Sequence, residues 1–196
     1  SDVYKRQHEY LYQITIFTGL RQGEVLGLTW DCLNMERVTL LVKQQLRREQ
    51  QKGGQYYFST TKNSRSRVLT LAPSVVRLFH LQKIKQNGMR TKAGELWQET
   101  GLIFTNEVGS RLSYRTAYDC FKRVVAKIGA PDTRFHDLRH TYAVMAIQSG
   151  DDIKTVQENL GHATASFTLD VYGHVTAQMK QASADRMEKF IQIVSA

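Results

Sequence analysis

Phe135-His136-Asp137-Leu138-Arg139-His140-Thr141-Tyr142 is the stretch that decides how this chain reads. Leu160-Gly161-His162 and Tyr172 follow it, and Thr18-Gly19-Leu20-Arg21-Gln22-Gly23-Glu24 lies far upstream. His136 and Arg139 are three apart, so a helix carries them on one face. His162 stands just past a glycine stop, where a turn can aim it back into a pocket. Tyr172 comes after a Ser/Thr-rich connector, residues 163–168, suited to delivering a side chain on demand. Two guanidiniums, two imidazoles and a phenol are the parts needed to open a phosphodiester without a metal.

The chemistry explains the choice of residues. A phosphodiester resists attack because it is anionic and its leaving alkoxide is poor, so a protein helps by neutralising the non-bridging oxygens and protonating the leaving oxygen. Arginine suits the first task, with a planar fork that stays charged. Histidine or lysine suits proton transfer. Tyrosine can attack and leave again, storing the bond energy in a covalent ester. Its ordinary pKa of about 10 means that it needs cations or a base nearby.

Composition agrees with an anionic partner. The 196 residues hold 27 Lys and Arg against 18 Asp and Glu, a formal net charge of +9, and this excess points first to nucleic acid. The length fits one domain with a core of useful size. Cys32 and Cys120, the two cysteines, make neither a zinc framework nor a disulfide scaffold. They read as small buried side chains in a reducing cytosol. No secretory signal or membrane-spanning run is visible, so the expectation is a cytoplasmic protein with no membrane partner.

Periodicity sketches the elements. A first helix is expected over 4–18, with Tyr10, Leu11, Ile14 and Phe17 on its inner face and Gly19 as its stop. A short helix follows over 21–28. Residues 37–48 alternate as one strand, with Val38, Leu40 and Val42 on one side. Tyr56-Tyr57-Phe58 and Val68-Leu69-Thr70-Leu71 are two more strands, around a basic hairpin tip at 61–66. The next helix starts at Pro73 and ends at Asn87-Gly88, and 90–101 is a charged surface loop. Helices are expected over 113–128, with Ala117, Phe121, Val124, Val125 and Ile128 toward the core, over 136–149, and from Asp152 to Gly161 with Ile153, Val156 and Leu160 inward. A short helix over 168–172 and an amphipathic one over 178–194 complete the chain. The latter presents Met179, Met187, Phe190, Ile191 and Val194. The expected fold is mixed, mainly α, with a small antiparallel three-stranded β-sheet.

Taken together, these motifs resemble the catalytic domain of the tyrosine recombinases, of the phage and conjugative-transposon integrase type. Thr-Gly-Leu-Arg-x-Gly-Glu, His-x-Leu-Arg-His-Thr, Leu-Gly-His and Tyr-Gly-His stand in the family's order and spacing, from about Tyr10 to Val175. The resemblance implies that Arg21 and Arg139 clamp the scissile phosphate, and that His136 and His162 support proton transfer. It further implies that Lys62 is the general acid for the 5′ oxygen and that Tyr172 becomes linked to the 3′ phosphate. Glu24 orients site residues, and His174 supports them. The tip reads Thr61-Lys62-Asn63, where many relatives have proline before the lysine. Lys43, Arg47, Arg65 and Arg67, on the basic strands and hairpin, are candidates for DNA contact.

The implied activity is site-specific recombination that integrates or excises a mobile element, with no metal, ATP or other cofactor. The implied partners are double-stranded DNA at attachment or core sites, and further copies of the chain in a tetramer on that DNA. A separate N-terminal DNA-binding domain is expected in the full-length protein. Residues 1–175 form the catalytic domain, and 176–196 a C-terminal helix of the same domain that can pack on a neighbouring subunit. Rival readings are a type IB topoisomerase-like nicking-closing enzyme and a DNA-binding regulator without catalysis. A metal hydrolase built on His136 and His140 is disfavoured, because Asp137 stands where the zincin pattern has glutamate and Arg139 would repel a cation.

Overall fold

The computed structural model describes residues 8–49, 51, 54–60, 66–161 and 177–194. In chain order the elements are α1 (Glu9–Thr18), α2 (Gln22–Leu26), β1 (Leu33–Asn34), β2 (Thr39–Val42), β3 (Gln44–Arg48), β4 (Tyr56–Thr60), β5 (Arg67–Thr70), α3 (Pro73–Ala93), α4 (Tyr114–Lys127), α5 (Asp137–Gln148), α6 (Ile153–Leu160) and α7 (Ala177–Val194). The chain is mainly helical with small antiparallel sheets, as expected. It forms two compact units, residues 1–142 and 143–196.

In the first unit α1 ends as expected, at Gly19 in the left-handed region with φ 66°. Its buried face differs from the expected one. Leu11 and Ile14 are buried, but Phe17 is exposed, and Thr15 and Thr18 lie inside instead. Their hydroxyls donate to the carbonyls of Leu11 and Ile14 at 2.7 and 2.6 Å, so the helix satisfies its own threonines and can bury them. The expected 168–172 helix lies outside the described residues.

The single strand expected over 37–48 is two strands in two sheets. β2 sits between β1 and β5 in a three-stranded antiparallel sheet, whereas β3 pairs with β4 in a separate two-stranded sheet. The break falls at Lys43, whose ammonium is held by Asp31 at 2.5 Å. Beyond it the chain leaves β5 and follows α2. Val38, expected in the strand, lies in the preceding turn at φ 53°, costly for a β-branched residue; its carbonyl accepts the N–H of Leu71 at 2.8 Å. The strand at Tyr56 thus belongs to a separate hairpin, not to the three-stranded sheet.

α3 runs through Asn87-Gly88 to Ala93, so the expected stop is corrected, and the expected loop begins as helix. A glycine in a helix costs only about 1 kcal/mol, and buried contacts near it outweigh that. Gln86 accepts the Trp30 indole N–H at 2.7 Å and donates to the Leu102 carbonyl at 2.8 Å.

α4 is capped by Ser113, which accepts the N–H of Thr116 at 3.0 Å. Ala117, Cys120, Phe121 and Val125 are buried, while Ile128, past the helix end, is exposed rather than inward. The free cysteines Cys32 and Cys120 are both buried, as expected. The Tyr12 hydroxyl donates to the Ala117 carbonyl at 2.9 Å, and the rings of Tyr12, Phe121 and Phe135 pack at centroid distances of 5.4–6.1 Å. That aromatic cluster fixes the chain immediately before His136.

In the second unit α6 starts at Asp152, whose side chain accepts the N–H of Thr155 at 2.9 Å, and stops at Gly161 with φ 64°. Val156 and Leu160 are buried as expected, whereas Ile153 at the open first turn is exposed. On α7, Met187, Phe190 and Ile191 are exposed. Among the described residues no helix is long and apolar enough to cross a membrane.

Candidate active site

Helix α2 holds the first arginine. Five residues cannot sustain a helix alone, so packing must hold it. Val25 and Leu26 are buried, and two glycines let strand β3 lie against the helix. A Cβ on Gly23 would stand 2.7 Å from the Leu46 carbonyl oxygen, and one on Gly27 would stand 3.0 Å from the Leu46 nitrogen. Glu24 is wholly buried and reaches back to the start of its helix. It accepts the backbone N–H of Arg21 at 2.9 Å and the Arg21 guanidinium at 2.9 Å.

The same carboxylate accepts both ends of the Arg67 guanidinium, at 3.0 and 2.8 Å. Burial alone would raise the Glu24 pKa, but the hydrogen bonds and charges of Arg67 and Arg21 outweigh it and hold it down at about 2. Glu24 is therefore a fixed anion that aims Arg21. The reading of Arg21 as a helix-start partner of Glu24 and its reading as a site cation are compatible.

The second arginine comes from α5. Arg139 is buried, and one guanidinium nitrogen donates to the carbonyl of Gly19 at 2.6 Å. A buried guanidinium needs acceptors, and the left-handed turn that ends α1 supplies this one. His136, one turn earlier, is at the surface, its ring 4.7 Å from that of His140. Partial burial, then the charges of His140, Arg139 and Arg21, lower its pKa below the usual imidazole range. That shift favours the neutral imidazole. Arg21, His136 and Arg139 are brought to one corner of the first unit.

The other predicted positions divide. Lys62, Arg65, His162, Tyr172 and His174 lie outside the described residues. Lys43 is exposed and paired with Asp31, Arg47 is exposed, and Arg67 is mostly covered, engaged with Glu24. A groove of about 440 Å³ is lined by Gln22, the residue after Arg21, with Arg48, Tyr56, Tyr114, Arg115, Tyr118 and Asp119. Sequence reasoning missed this groove, the Arg67–Glu24 pair and the Gly19 carbonyl. The one available signal was Glu24 itself: a carboxylate inside an apolar helix requires a cation from elsewhere.

Residues 3–179 match the model of the phage integrase family. A XerC-like tyrosine recombinase of Caldanaerobacter subterraneus subsp. tengcongensis is 31% identical over 188 residues, covering 90% of this chain and 48% of the relative. The ICEBs1 integrase of Bacillus subtilis is 27% identical over 195 residues, covering 92% and 48%. The chain thus spans about half the length of the curated relatives it matches. Among solved structures, the Tn1549 transposon integrase in complex with transposon right end DNA shares the fold, with a TM-score of 0.75 at 23% identity, over 93% of this chain and 59% of that one. XerH recombinase bound to palindromic difH substrate gives a TM-score of 0.64 at 25% identity, over 96% and 47%.

Proposed function

The chain belongs to the phage integrase family, the tyrosine recombinases, and from that premise we propose that it cuts and rejoins DNA strands in site-specific recombination. The observation that carries this reading is the convergence of Arg21, Arg139 and His136 on one corner, with Arg21 aimed by a buried carboxylate.

The two guanidiniums neutralise the non-bridging oxygens of the scissile phosphate. The Tyr172 oxygen attacks phosphorus, and its proton passes to a histidine, His136 or His162. The bond to the 5′ oxygen breaks, and Lys62 supplies the proton that makes it a 5′ hydroxyl. A 3′-phosphotyrosyl ester remains. A 5′ hydroxyl from the partner duplex reverses each step on a new junction. Glu24 and His174 support the reacting groups, and none of these steps calls on a metal or a nucleotide.

Double-stranded DNA at the attachment sites of a mobile element is the substrate. Lys43, Arg47 and Arg65 contact its backbone. So do Arg48 and Arg115, which line the groove at Gln22. Arg67 serves the site from inside, through Glu24. Two duplexes with two cuts each need four active sites, hence a tetramer on DNA. The protein acts in the cytoplasm, and a further DNA-binding domain in the full-length chain grips the other face of the duplex.

Covalent trapping tests this reading. A nicked suicide duplex carrying the element's junction sequence, incubated in EDTA, should give a protein–DNA adduct on a denaturing gel. Tyr172→Phe should abolish the adduct while keeping DNA binding. An adduct that survives in that variant would place the nucleophile elsewhere, and one that appears only with metal would exclude the mechanism.

A further inference from the structure

His136 and His140 stand one turn apart at the start of α5, and their rings meet. The centroids are 4.7 Å apart and the planes 85° apart, so the edge of one ring is set against the face of the other. The edge of an aromatic ring is its positive side and the face its negative side. A proton on either imidazole therefore disfavours a proton on its neighbour. The recombinase mechanism uses His136 and gives His140 no task.

The backbone that carries the pair is pinned. Phe135 is buried in the ring cluster with Tyr12 and Phe121. The Asp137 carboxylate accepts the backbone N–H of Arg134 at 2.8 Å and its guanidinium at 2.9 Å. Arg139 is buried against the Gly19 carbonyl. The His136 carbonyl accepts the N–H of Arg139 at 3.1 Å and that of His140 at 3.4 Å, which places its Cα on the first turn. The His136 side chain is exposed, and an exposed side chain hops between rotamers within nanoseconds unless something stands against it. The half-buried ring of His140 stands there.

Charge points the same way. Among the described residues, the groups that act on the His136 ring are Arg21 at the start of α2 and Asp137, Arg139 and His140 on α5. After partial burial, His140 does most to lower the His136 pKa, ahead of Arg139 and Arg21. Asp137 pulls in the other direction, but Arg134 already holds its carboxylate. In the recombinase reading the two arginines are committed to the phosphate, whose negative charge offsets theirs. His140 is then the neighbour on α5 that still opposes an imidazolium at His136.

We propose that His140 is a positioning residue for His136: it braces that ring edge to face and keeps it in its proton-accepting form, ready for the proton that the attacking phenol gives up. The proposal deepens the recombinase reading and rests on His136 as a proton acceptor. It gives the second histidine of the motif a part in the pH dependence of cutting, not in DNA affinity.

The experiment follows the ring-proton resonances of His136 through a pH titration of the full-length protein, and measures the rate of adduct formation on a suicide duplex over the same range. His140→Phe keeps an aromatic ring and removes the charge. His140→Asn removes both, and serves alone if the first variant does not fold. In each, the His136 midpoint should rise by at least about 0.5 pH unit. The acid limb of the rate should move up with it, because a proton on His136 blocks the step. For His140→Phe the alkaline plateau should stay within about twofold of the parent at an unchanged half-saturating DNA concentration, whereas His140→Asn, without the brace, should lose about tenfold there. An unmoved midpoint overturns the proposal. So does a midpoint that moves while the acid limb stays, and that result leaves the tyrosine chemistry intact. An unchanged plateau in His140→Asn overturns the brace. A parent that forms no adduct overturns the recombinase reading itself, and the proposal with it.

Discussion

Arg67 grips Glu24 with both ends of its guanidinium, at 3.0 and 2.8 Å, around a carboxylate that has no exposure to water. Removing the arginine leaves a buried anion with Arg21 as its one remaining cation among the described residues. Arg67→Ala should cost about 3–5 kcal/mol in urea denaturation, the usual penalty for breaking a buried pair from one side. Glu24→Gln, which removes the anion and keeps the shape, should cost clearly less. If Arg67→Ala matched the parent in stability, the pair would not be the anchor described.

On the proposed mechanism, Arg139 separates catalysis from binding. It is buried against the Gly19 carbonyl and so adds little to the charge that DNA meets at long range. Arg139→Ala should lower the rate of adduct formation by at least a hundredfold, in the range of losing one strong oxyanion donor. Non-specific DNA affinity, carried by many exposed cations, should change by less than about threefold. Parallel loss of both would place Arg139 in binding instead.

His8 makes stability depend on pH. It is buried, its Nε2 has no hydrogen-bond partner among the described residues, and burial, then Lys85 and Arg123, lower its pKa to about 4. The unfolded imidazole titrates near 6.5. Between those values the unfolded chain binds a proton that the folded chain does not, so stability is full above about 6.5 and drains as pH falls toward 4. Denaturation at pH 7.5 and 4.5 should show a loss on the order of 2–3 kcal/mol that His8→Asn largely removes. Glu24 acts lower still: its contribution is present above about 4.3 and is lost as pH falls toward 2.

The groove at Gln22 predicts a salt slope. Arg48 and Arg115 both line it. If each meets one phosphate, the double alanine variant should lower the slope of log affinity against log salt by about 2. An unchanged slope across a salt titration would remove the groove from the DNA-binding face.

What the sequence disclosed follows a physical division. Helix stops at Gly19 and Gly161 and the cap at Asp152 were legible, because each is a local bargain between one side chain or one φ and the neighbouring backbone. The Arg21, His136 and Arg139 positions were legible because their spacing and chemistry are unusual together. The run 37–48 misled, since its alternation continues through Lys43 while its strand partners change there. Asn87-Gly88 misled because Gln86 beside it is held by distant partners, donating to the Leu102 carbonyl and accepting from the Trp30 indole. Phe17 misled because periodicity cannot show that Thr15 and Thr18 satisfy themselves and take the inner face.

The contact between Arg139 and the Gly19 carbonyl joins residues 120 positions apart. Closing so long a loop is slow and entropically expensive, and a chain still being synthesised cannot make it until Arg139 has left the ribosome. On the proposed mechanism, competence to cut is therefore acquired late. A half-made chain already carries Arg21 and much of the positive charge, yet it lacks the second guanidinium that the proposed mechanism needs to break a strand. One hydrogen bond thus ties the start of the chain to a residue made 120 positions later.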